Sequence, residues 1–164
     1  MNPLSTCDLC DQHRDDPSGP LRVLPPIFRD FGARTRFHGS VITVRCLEDN
    51  TSVRELVQSP GQGRVLVVDG GGSVRRALLG GNLAAAAEQN GWAGVVIHGA
   101  VRDIEELSRC QIGIRALALL PMPPERRAPG VVDQPVQIGG VWVHPGDRLV
   151  ADEDGIVVMS AAAL

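Results

Sequence analysis

Lysine is absent from this chain: all 16 of its basic residues are arginine. An enzyme that joins a lysine amine to a carbonyl substrate as a Schiff base is therefore excluded. The sequence also lacks an apolar stretch long enough to span a bilayer, and it does not open with a charged-then-apolar signal segment. From these absences we expect a cytoplasmic protein.

An excess of positive charge is also missing. The 16 arginines are outnumbered by 19 acidic residues, for a net charge of -3, whereas proteins that bind nucleic acid directly usually carry a basic field. The 164 residues are 43% hydrophobic and 21% charged, which is typical of a globular chain. We therefore predict one domain over residues 1–164 that does not bind nucleic acid directly and is not bound to a membrane.

Cysteine is scarce and poorly placed for cross-linking. The four cysteines are Cys7, Cys10, Cys46 and Cys110, and their spread does not suggest a disulfide scaffold. Cys7 and Cys10 form a CxxC pair, but no second pair completes a zinc site. The pair also lies near the N-terminus rather than after a strand, so we predict reduced, partly buried thiols.

Short apolar runs alternate with helical segments through the middle of the chain. The runs are rich in β-branched residues or continuously apolar, which is typical of buried strands; they are residues 41–47, 65–69, 94–98 and 114–120. The helical segments are residues 50–57, with Asn50 or Thr51 as the cap, 83–90 and 104–108, and a further helix over residues 7–13 has Thr6 as its cap. This alternation predicts βαβ units.

The C-terminal third has a different pattern. Gly139-Gly140 separates two short apolar runs, at 136–138 and 141–143, and so predicts a β-hairpin. An acidic turn at 152–155 separates two further runs, at 149–151 and 156–159. We therefore predict an α/β fold with mixed parallel and antiparallel sheets.

One glycine-rich segment follows a predicted strand, and another opens a predicted helix. Residues 69–73, Asp-Gly-Gly-Gly-Ser, lack the Gly-Lys-Ser/Thr of a phosphate-binding loop, so a tight turn is the favoured interpretation. Gly80-Gly81-Asn82-Leu83 opens a predicted helix, whose first N–H groups lack partners within the helix and attract carboxylates. Ordinary capping by Asn82 is an equal alternative.

Arg102-Asp103 follows the strand predicted at 94–98. Open α/β folds place ligands beyond the carboxyl ends of their strands. A guanidinium there can grip a carboxylate, and an aspartate can hold a hard divalent cation. The alternative is a surface pair in which Asp103 caps a short helix, with Glu105 and Glu106 as solvated acids of its first turn. His98, at the end of the same apolar run, is interpreted as a core or interface histidine.

Several segments together resemble the family of the regulator of ribonuclease activity A and its aldolase relatives. The resemblance covers nearly the whole chain, and it is carried by the segments Cys10-Asp11, 26–32, 65–73, 77–83, 90–97, 99–103 and 152–158. It implies a swivelling β/β/α domain and a ring-shaped homotrimer with sites near subunit boundaries. One branch of the family cleaves 4-hydroxy-4-methyl-2-oxoglutarate to pyruvate and decarboxylates oxaloacetate, through a metal-stabilised pyruvate enolate. The other binds ribonuclease E and inhibits it without catalysis.

The resemblance also assigns roles to residues. Aldolase-competent members carry Arg-Asp, as Arg102-Asp103 does here. Many also have an acid where this chain has Gly81, but a second family pattern has glycine there and an acid three residues after the aspartate, which is Glu106. The resemblance therefore implies catalysis by Arg102, Asp103 and Glu106, with Mg²⁺ or Mn²⁺ on Asp103. The 2-oxo acid substrate would bind Arg102 and the backbone amides of Gly80, Gly81, Asn82 and Leu83.

Overall fold

The computed structural model describes residues 4–163. Its α-helices are α1 (Thr6–His13), α2 (Thr51–Val57), α3 (Gly81–Gln89) and α4 (Ile104–Leu107). Its strands are β1 (Leu21–Val23), β2 (Arg29–Asp30), β3 (Phe37–Arg45), β4 (Val65–Asp69), β5 (Ala77–Leu79), β6 (Gly94–Val101), β7 (Gly113–Leu119), β8 (Val131–Val132), β9 (Val136–Ile138), β10 (Val141–Val143), β11 (Arg148–Ala151) and β12 (Ile156–Met159). A 3-10 helix (Ala161–Ala163) follows β12.

One mixed sheet runs through the molecule in the order β1-β12-β11-β3-β4-β6-β7-β2. Its centre, β3-β4-β6-β7, is parallel, and β5 pairs in parallel with the end of β6. Strands β11, β12 and β1 extend it on one side and β2 on the other, all by antiparallel pairing, and β8 adds to β3. Strands β9 and β10 form the separate hairpin predicted around Gly139-Gly140. The mixed parallel and antiparallel architecture is as predicted.

Both faces of the parallel centre are buried, which explains its continuous apolar runs. In β4, Leu66 and Val68 face a core that α2, α3 and α4 cover. Val65 and Val67 face a second core, formed with the β9–β10 hairpin and the antiparallel strands β11 and β12. The alternation of strand side chains thus divides the interior between a helical and a β layer. Among residues 4–163, no helix has the length and apolar character needed to cross a membrane.

Strand β6 does not end at His98 as predicted but continues to Val101. Its last residues, Ala100 and Val101, leave the register of β4 and pair with β5, a strand that the sequence analysis missed. This added pairing keeps the chain extended up to Arg102. Strand β3, predicted over residues 41–47, begins four residues earlier, at Phe37, and ends two residues earlier, at Arg45. Strand β7, predicted over residues 114–120, is displaced by one residue, to Gly113–Leu119.

Helix α1 begins at Thr6, and its cap is Ser5, whose hydroxyl accepts a hydrogen bond from the Asp8 N–H at 3.3 Å. The prediction of Thr6 as the cap was therefore wrong by one residue. Thr6 instead donates two hydrogen bonds to the buried Asp152, from its N–H at 2.8 Å and from its hydroxyl at 2.7 Å. These bonds attach α1 to the turn between β11 and β12.

The Phe37 ring lies against two glycines on neighbouring strands, Gly94 of β6 and Gly113 of β7. A methyl group on either glycine would enter the space of the ring. We therefore expect Gly94→Ala to reduce the free energy of unfolding by about 1–3 kcal/mol, the usual cost of overpacking a core. Urea denaturation measures it. In a Phe37→Leu background the cost should fall, and equal costs in both backgrounds would contradict this explanation.

Candidate active site

The functional residues predicted from the sequence lie at the carboxyl edge of the parallel strands. Gly80 directly follows β5, and Arg102-Asp103 directly follows β6. A proline-rich segment, residues 121–130, follows β7 and is called the strap below. Because parallel strands end at the same edge of a sheet, these segments meet there.

They enclose a small cleft of about 50 Å³ that is partly open to solvent. One wall is formed by the start of α3 and by the residues that follow β6; the other is formed by Asn50 and the strap. The lining residues are Asn50, Ala77, Gly80, Asn82, Leu83, Arg102, Asp103, Pro124 and Arg126.

The Asp103 carboxylate is held by the start of α3. Its Oδ2 accepts a hydrogen bond from the Gly81 N–H at 3.0 Å and lies 3.9 Å from Arg102 Nε. Asp103 adopts a left-handed backbone conformation, with φ 65° and ψ 52°, at the N-cap position of α4. Such a conformation costs about 1–3 kcal/mol in a residue other than glycine and is often found at functional sites. Its side chain does not cap α4; it turns to α3 instead.

Gly80 and Gly81 permit two carboxylates to approach the chain closely. A Cβ atom on Gly80 would lie 2.6 Å from Asp103 Oδ2, and one on Gly81 would lie 2.5 Å from Glu106 Cδ. Glu106 thus occupies the space into which a side chain at position 81 would extend. Asp103 and Glu106 thus lie against two adjacent glycines, Gly80 and Gly81.

The start of α3 leaves donors free, but fewer than the sequence suggested. Helix α3 begins at Gly81, so Asn82 lies inside its first turn, and the predicted alternative of a cap at Asn82 was wrong. The Gly81 N–H is taken by Asp103, and the Ala84 N–H bonds the Gly80 carbonyl at 3.0 Å. Within residues 4–163, the N–H groups of Asn82 and Leu83 have no hydrogen-bond partner. Both residues line the cleft.

The structure brings five of the seven predicted site residues into the cleft lining: Gly80, Asn82, Leu83, Arg102 and Asp103. The other two, Gly81 and Glu106, lie just outside it. Gly81 supports Asp103 through its N–H, and Glu106 packs against Gly81. Arg102 has a half-buried side chain whose Nη1 reaches the Pro121 carbonyl at 3.4 Å.

The second wall of the cleft was not predicted from the sequence. The sequence pattern predicted Asn50 or Thr51 as a helix cap and assigned no site role to residues 121–130. Asn50 does stand at the N-cap of α2, but its side chain makes no capping bond. Its amide donates to the Leu78 carbonyl at 3.1 Å and accepts from Arg126 Nε at 3.3 Å. The available signal was positional: Asn50 and Arg126 both follow parallel strands, β3 and β7, at the edge that carries Arg102.

Asp49 holds the strap in place. Its carboxylate accepts hydrogen bonds from the N–H groups of Arg127 and Ala128, at 2.7 and 3.1 Å, and from the N–H and hydroxyl of Thr51. Partial burial alone would raise the pKa of Asp49, but these hydrogen bonds outweigh it and lower the pKa from 3.8 to about 2. Asp49 therefore stays charged and fixes the strap beside Asn50.

The carboxylate oxygens at the cleft suit a divalent cation that keeps several of its waters better than one that is coordinated entirely by the protein. Residues 4–163 contain no group of three or more His, Cys, Asp and Glu side chains arranged to hold a metal ion. Asp103 Oδ1 makes no hydrogen bond within the same range and stays free to bind a cation. Mg²⁺ commonly binds through one or two carboxylates and keeps several waters. One free carboxylate oxygen, with a second acid nearby in Glu106, fits that chemistry.

The other motifs of the sequence lie outside this cleft. Residues 69–73 form the predicted tight turn, in which Asp69 Oδ1 accepts from the Gly71 N–H at 2.9 Å. His98 is largely buried, with its ring 6.4 Å from that of Phe28. The four cysteines are free thiols; Cys46 and Cys110 are buried, whereas Cys7 is exposed rather than partly buried. Burial raises the pKa of Cys46 to about 12.

Comparison with known proteins gives one consistent family. Residues 6–158 match the family model RraA-like, described as Aldolase/RraA. A protein of Albidiferax ferrireducens, provisionally named 4-hydroxy-4-methyl-2-oxoglutarate aldolase, is 60% identical over 162 residues, covering 94% of each chain. A protein of Alkalilimnicola ehrlichii with the same provisional name is 54% identical over 153 residues, covering 93% of this chain and 92% of that one.

Solved structures of other proteins share the fold. The RNA-processing inhibitor RraA from Thermus thermophilis superposes with a TM-score of 0.90 at 49% identity, covering 95% of this chain and 92% of that one. A Geobacillus kaustophilus structure described as an S-adenosylmethionine:2-dimethylmenaquinone methyltransferase also gives 0.90, at 41% identity, covering 96% and 95%. The names attached to this fold thus differ, so the site residues must decide between functions.

The hydrogen bonds of Asp49 should make the strap sensitive to acid. Because the pKa of Asp49 is lower in the folded chain than in the unfolded one, its contribution to stability is present above about pH 4 and is lost as the pH falls towards 2. We expect Asp49→Asn to cost about 1–2 kcal/mol of unfolding free energy at pH 7, allowing for partial exposure. The cost should shrink between pH 4 and 2 in urea titrations. Asp15→Asn, at a side chain that is 94% exposed, is the control; a cost for Asp49→Asn that is independent of pH would contradict this role.

Proposed function

The chain belongs to the RraA-like family, Aldolase/RraA, and on that premise we propose that it is a divalent-metal-dependent lyase. Its reactions are the class II aldol cleavage of 4-hydroxy-4-methyl-2-oxoglutarate to pyruvate and the decarboxylation of oxaloacetate. One observation carries the proposal: Arg102, Asp103, Asn82 and Leu83 line one cleft, and within residues 4–163 the N–H groups of the last two have no hydrogen-bond partner. These groups match a 2-oxo acid, which presents a carboxylate beside a keto oxygen.

Both reactions break a carbon–carbon bond next to a pyruvyl unit and leave negative charge growing on its keto oxygen. The Arg102 guanidinium is always charged and has donors that suit oxyanions. The Arg102 side chain is half-buried at the cleft, and its Nη1 donates to the Pro121 carbonyl. This position leaves the guanidinium available to the keto oxygen. Pre-positioned charge of this kind lowers the barrier because it does not need to reorganise during the reaction.

The backbone N–H groups at the start of α3 would bind the carboxylate of the pyruvyl unit. In the part of the chain that the structure describes, the N–H groups of Asn82 and Leu83 are unpaired at a helix N-terminus, where the helix dipole also favours an anion. This is a narrower donor set than the four residues 80–83, because the Gly81 N–H already serves Asp103. Gly80, which lacks a side chain, leaves room for the substrate beside Asp103.

Asp103 is the residue that would hold a divalent cation, of the Mg²⁺ or Mn²⁺ type. When bound, the cation supplies Lewis-acid polarisation of the keto oxygen. The Gly81 N–H orients the Asp103 carboxylate, because it fixes Oδ2 and leaves Oδ1 free. Glu106 lies outside the cleft lining but against Gly81, a position from which it would hold a water molecule or help to move a proton.

The rival function is inhibition of RNA processing, and the observation in its favour is the 49% identity to the inhibitor RraA. On this hypothesis the chain binds ribonuclease E through its surface and does not need the cleft. Asp103 therefore separates the two functions, since inhibition by surface binding does not depend on its carboxylate. The homotrimer implied by the family resemblance stays a prediction.

We expect the purified protein to release pyruvate from both substrates with Mg²⁺ or Mn²⁺, and to lose this activity when the metal is chelated. Asp103→Asn should lower kcat/KM by about 100-fold or more, because it removes the charge that holds the cation. A coupled lactate dehydrogenase assay measures the pyruvate.

Asp133→Asn is the matched control, because Asp133 is also an exposed aspartate in the left-handed conformation, with φ 61°. It should keep full activity. Equal activity of Asp103→Asn and the wild-type protein would rule out the metal assignment. The absence of pyruvate release, together with inhibition of ribonuclease E that Asp103→Asn leaves intact, would favour the rival function.

Because Glu106 fills the space beside Gly81, we predict that a carboxylate introduced at position 81 can partly replace the Glu106 carboxylate. Glu106→Ala should lower kcat/KM by about 10-fold or more, because a second carboxylate is lost beside Asp103. Adding Gly81→Asp should restore part of the activity, since its side chain enters the vacated space. In the presence of Glu106, Gly81→Asp should instead reduce the unfolding free energy by about 1–3 kcal/mol through overpacking. Additive losses in the double variant would show that the two positions do not substitute for each other.

A further inference from the structure

A second arginine, Arg126 of the strap, lines the same cleft as Arg102. The two come from different walls: Arg102 stands beside Asp103 and the start of α3, and Arg126 stands beside Asn50. In the proposed function, the pyruvyl unit binds against the wall formed by Arg102, Asp103 and the start of α3. The rest of the substrate then extends towards the strap, where Arg126 is the cation that lines the cleft.

Arg126 is oriented but not neutralised. Its Nε donates to Asn50 Oδ1 at 3.3 Å, and the buried Asn50 is itself fixed by its bond to the Leu78 carbonyl. Within residues 4–163, no carboxylate pairs with Arg126, and its two Nη groups make no hydrogen bond. They form a fork of the kind that binds a carboxylate through two parallel hydrogen bonds.

The backbone around Arg126 is also fixed before any ligand binds. Asp49 accepts from the next two N–H groups, those of Arg127 and Ala128. On the other side, the Asn50 N–H donates to the Glu125 carbonyl at 3.1 Å. Arg127, by contrast, points to solvent with 83% of its side chain exposed and pairs with Glu125 at 3.0 Å. Two adjacent arginines thus differ in position: one lines the cleft and the other does not.

We propose that Arg126 binds the distal carboxylate of the substrate and thereby selects 4-hydroxy-2-oxo dicarboxylates. This inference rests on the proposed function and goes beyond it, because it also assigns a preference between the two reactions. The reason lies in what happens to the distal carboxylate in each.

In aldol cleavage, the C3–C4 bond breaks, the C4 hydroxyl gives up its proton, and the bond pair becomes the enolate that is protonated to pyruvate. The distal carboxylate keeps its charge and leaves as part of the second 2-oxo acid. In oxaloacetate, the distal carboxylate itself departs as neutral CO₂, and its charge passes to the enolate. In aldol cleavage, a guanidinium bound to that carboxylate stabilises the substrate without raising the barrier, because the carboxylate stays charged. In decarboxylation, the same guanidinium raises the barrier, because the carboxylate must lose its charge. Arg126 therefore favours cleavage over decarboxylation.

The test compares Arg126→Ala with Arg127→Ala and the wild-type protein under Mg²⁺. The kinetic readouts are kcat/KM for 4-hydroxy-4-methyl-2-oxoglutarate and for oxaloacetate, and the constant for inhibition by pyruvate, which has no distal carboxylate. In Arg126→Ala we expect kcat/KM for the aldol substrate to fall about 10- to 100-fold, the range for a lost hydrogen bond to a charged group. The loss for oxaloacetate should be at least several-fold smaller, and the pyruvate constant should change by less than about twofold. Arg126→Lys should recover part of the loss, and Arg127→Ala should match the wild-type protein.

Other results would overturn the inference. If the wild-type protein is active but Arg126→Ala matches Arg127→Ala, Arg126 does not bind the substrate, and the proposed function still stands. Arg126→Ala could instead raise the pyruvate inhibition constant and lower kcat/KM for oxaloacetate and the aldol substrate by the same factor. Arg126 would then affect the whole cleft rather than the distal carboxylate, and the proposed function would again still stand. Failure of the wild-type protein to release pyruvate from either compound would overturn the proposed function and this inference together.

Discussion

The hydrogen bond between the Gly81 N–H and the Asp103 carboxylate is the contact on which the organisation of the site depends. It joins the start of α3 to the end of β6, two segments that come from separate βαβ units. The bond requires Gly80 to lack a side chain, and it compensates in part for the left-handed backbone of Asp103. Because it occupies one carboxylate oxygen and one helix N–H, it also decides which groups of the cleft are left for a ligand.

The second wall of the cleft is formed by a loop, the strap, rather than by the ends of a helix and a strand. The strap lacks extensive regular structure and is held by hydrogen bonds to Asp49 and Asn50, two consecutive residues that precede α2. One side of the cleft therefore consists of a helix start and a strand end, and the other of a loop anchored to the partly buried Asp49 and the buried Asn50. Such a division suits a substrate with a constant end and a variable end, since a loop can change in sequence without disturbing the sheet.

Relatives with this fold carry the names of an aldolase, an inhibitor of RNA processing and a methyltransferase. A shared fold does not choose between these activities, because function lies in the residues placed on it. In this chain the absence of lysine excludes a Schiff base, and the pairing of Arg102 with Asp103 provides a fixed cation and a free carboxylate oxygen at one cleft. The proposed lyase would use that combination, whereas inhibition by surface binding would not depend on it.

The sequence by itself determined the elements whose signals are local. The apolar run of β4, the hairpin of β9 and β10 around its glycine pair, and the short helix after Arg102-Asp103 follow from side-chain patterns over a few residues. Only the tertiary structure decided that β6 continues to Val101, because that extension pairs with both β5 and β7. It also decided that Arg126 lines the cleft, because the position of Arg126 depends on Asn50, 76 residues away. Hydrogen bonds between residues so far apart in the chain leave no periodic pattern in the sequence; they form only when the strands bring their ends to one edge.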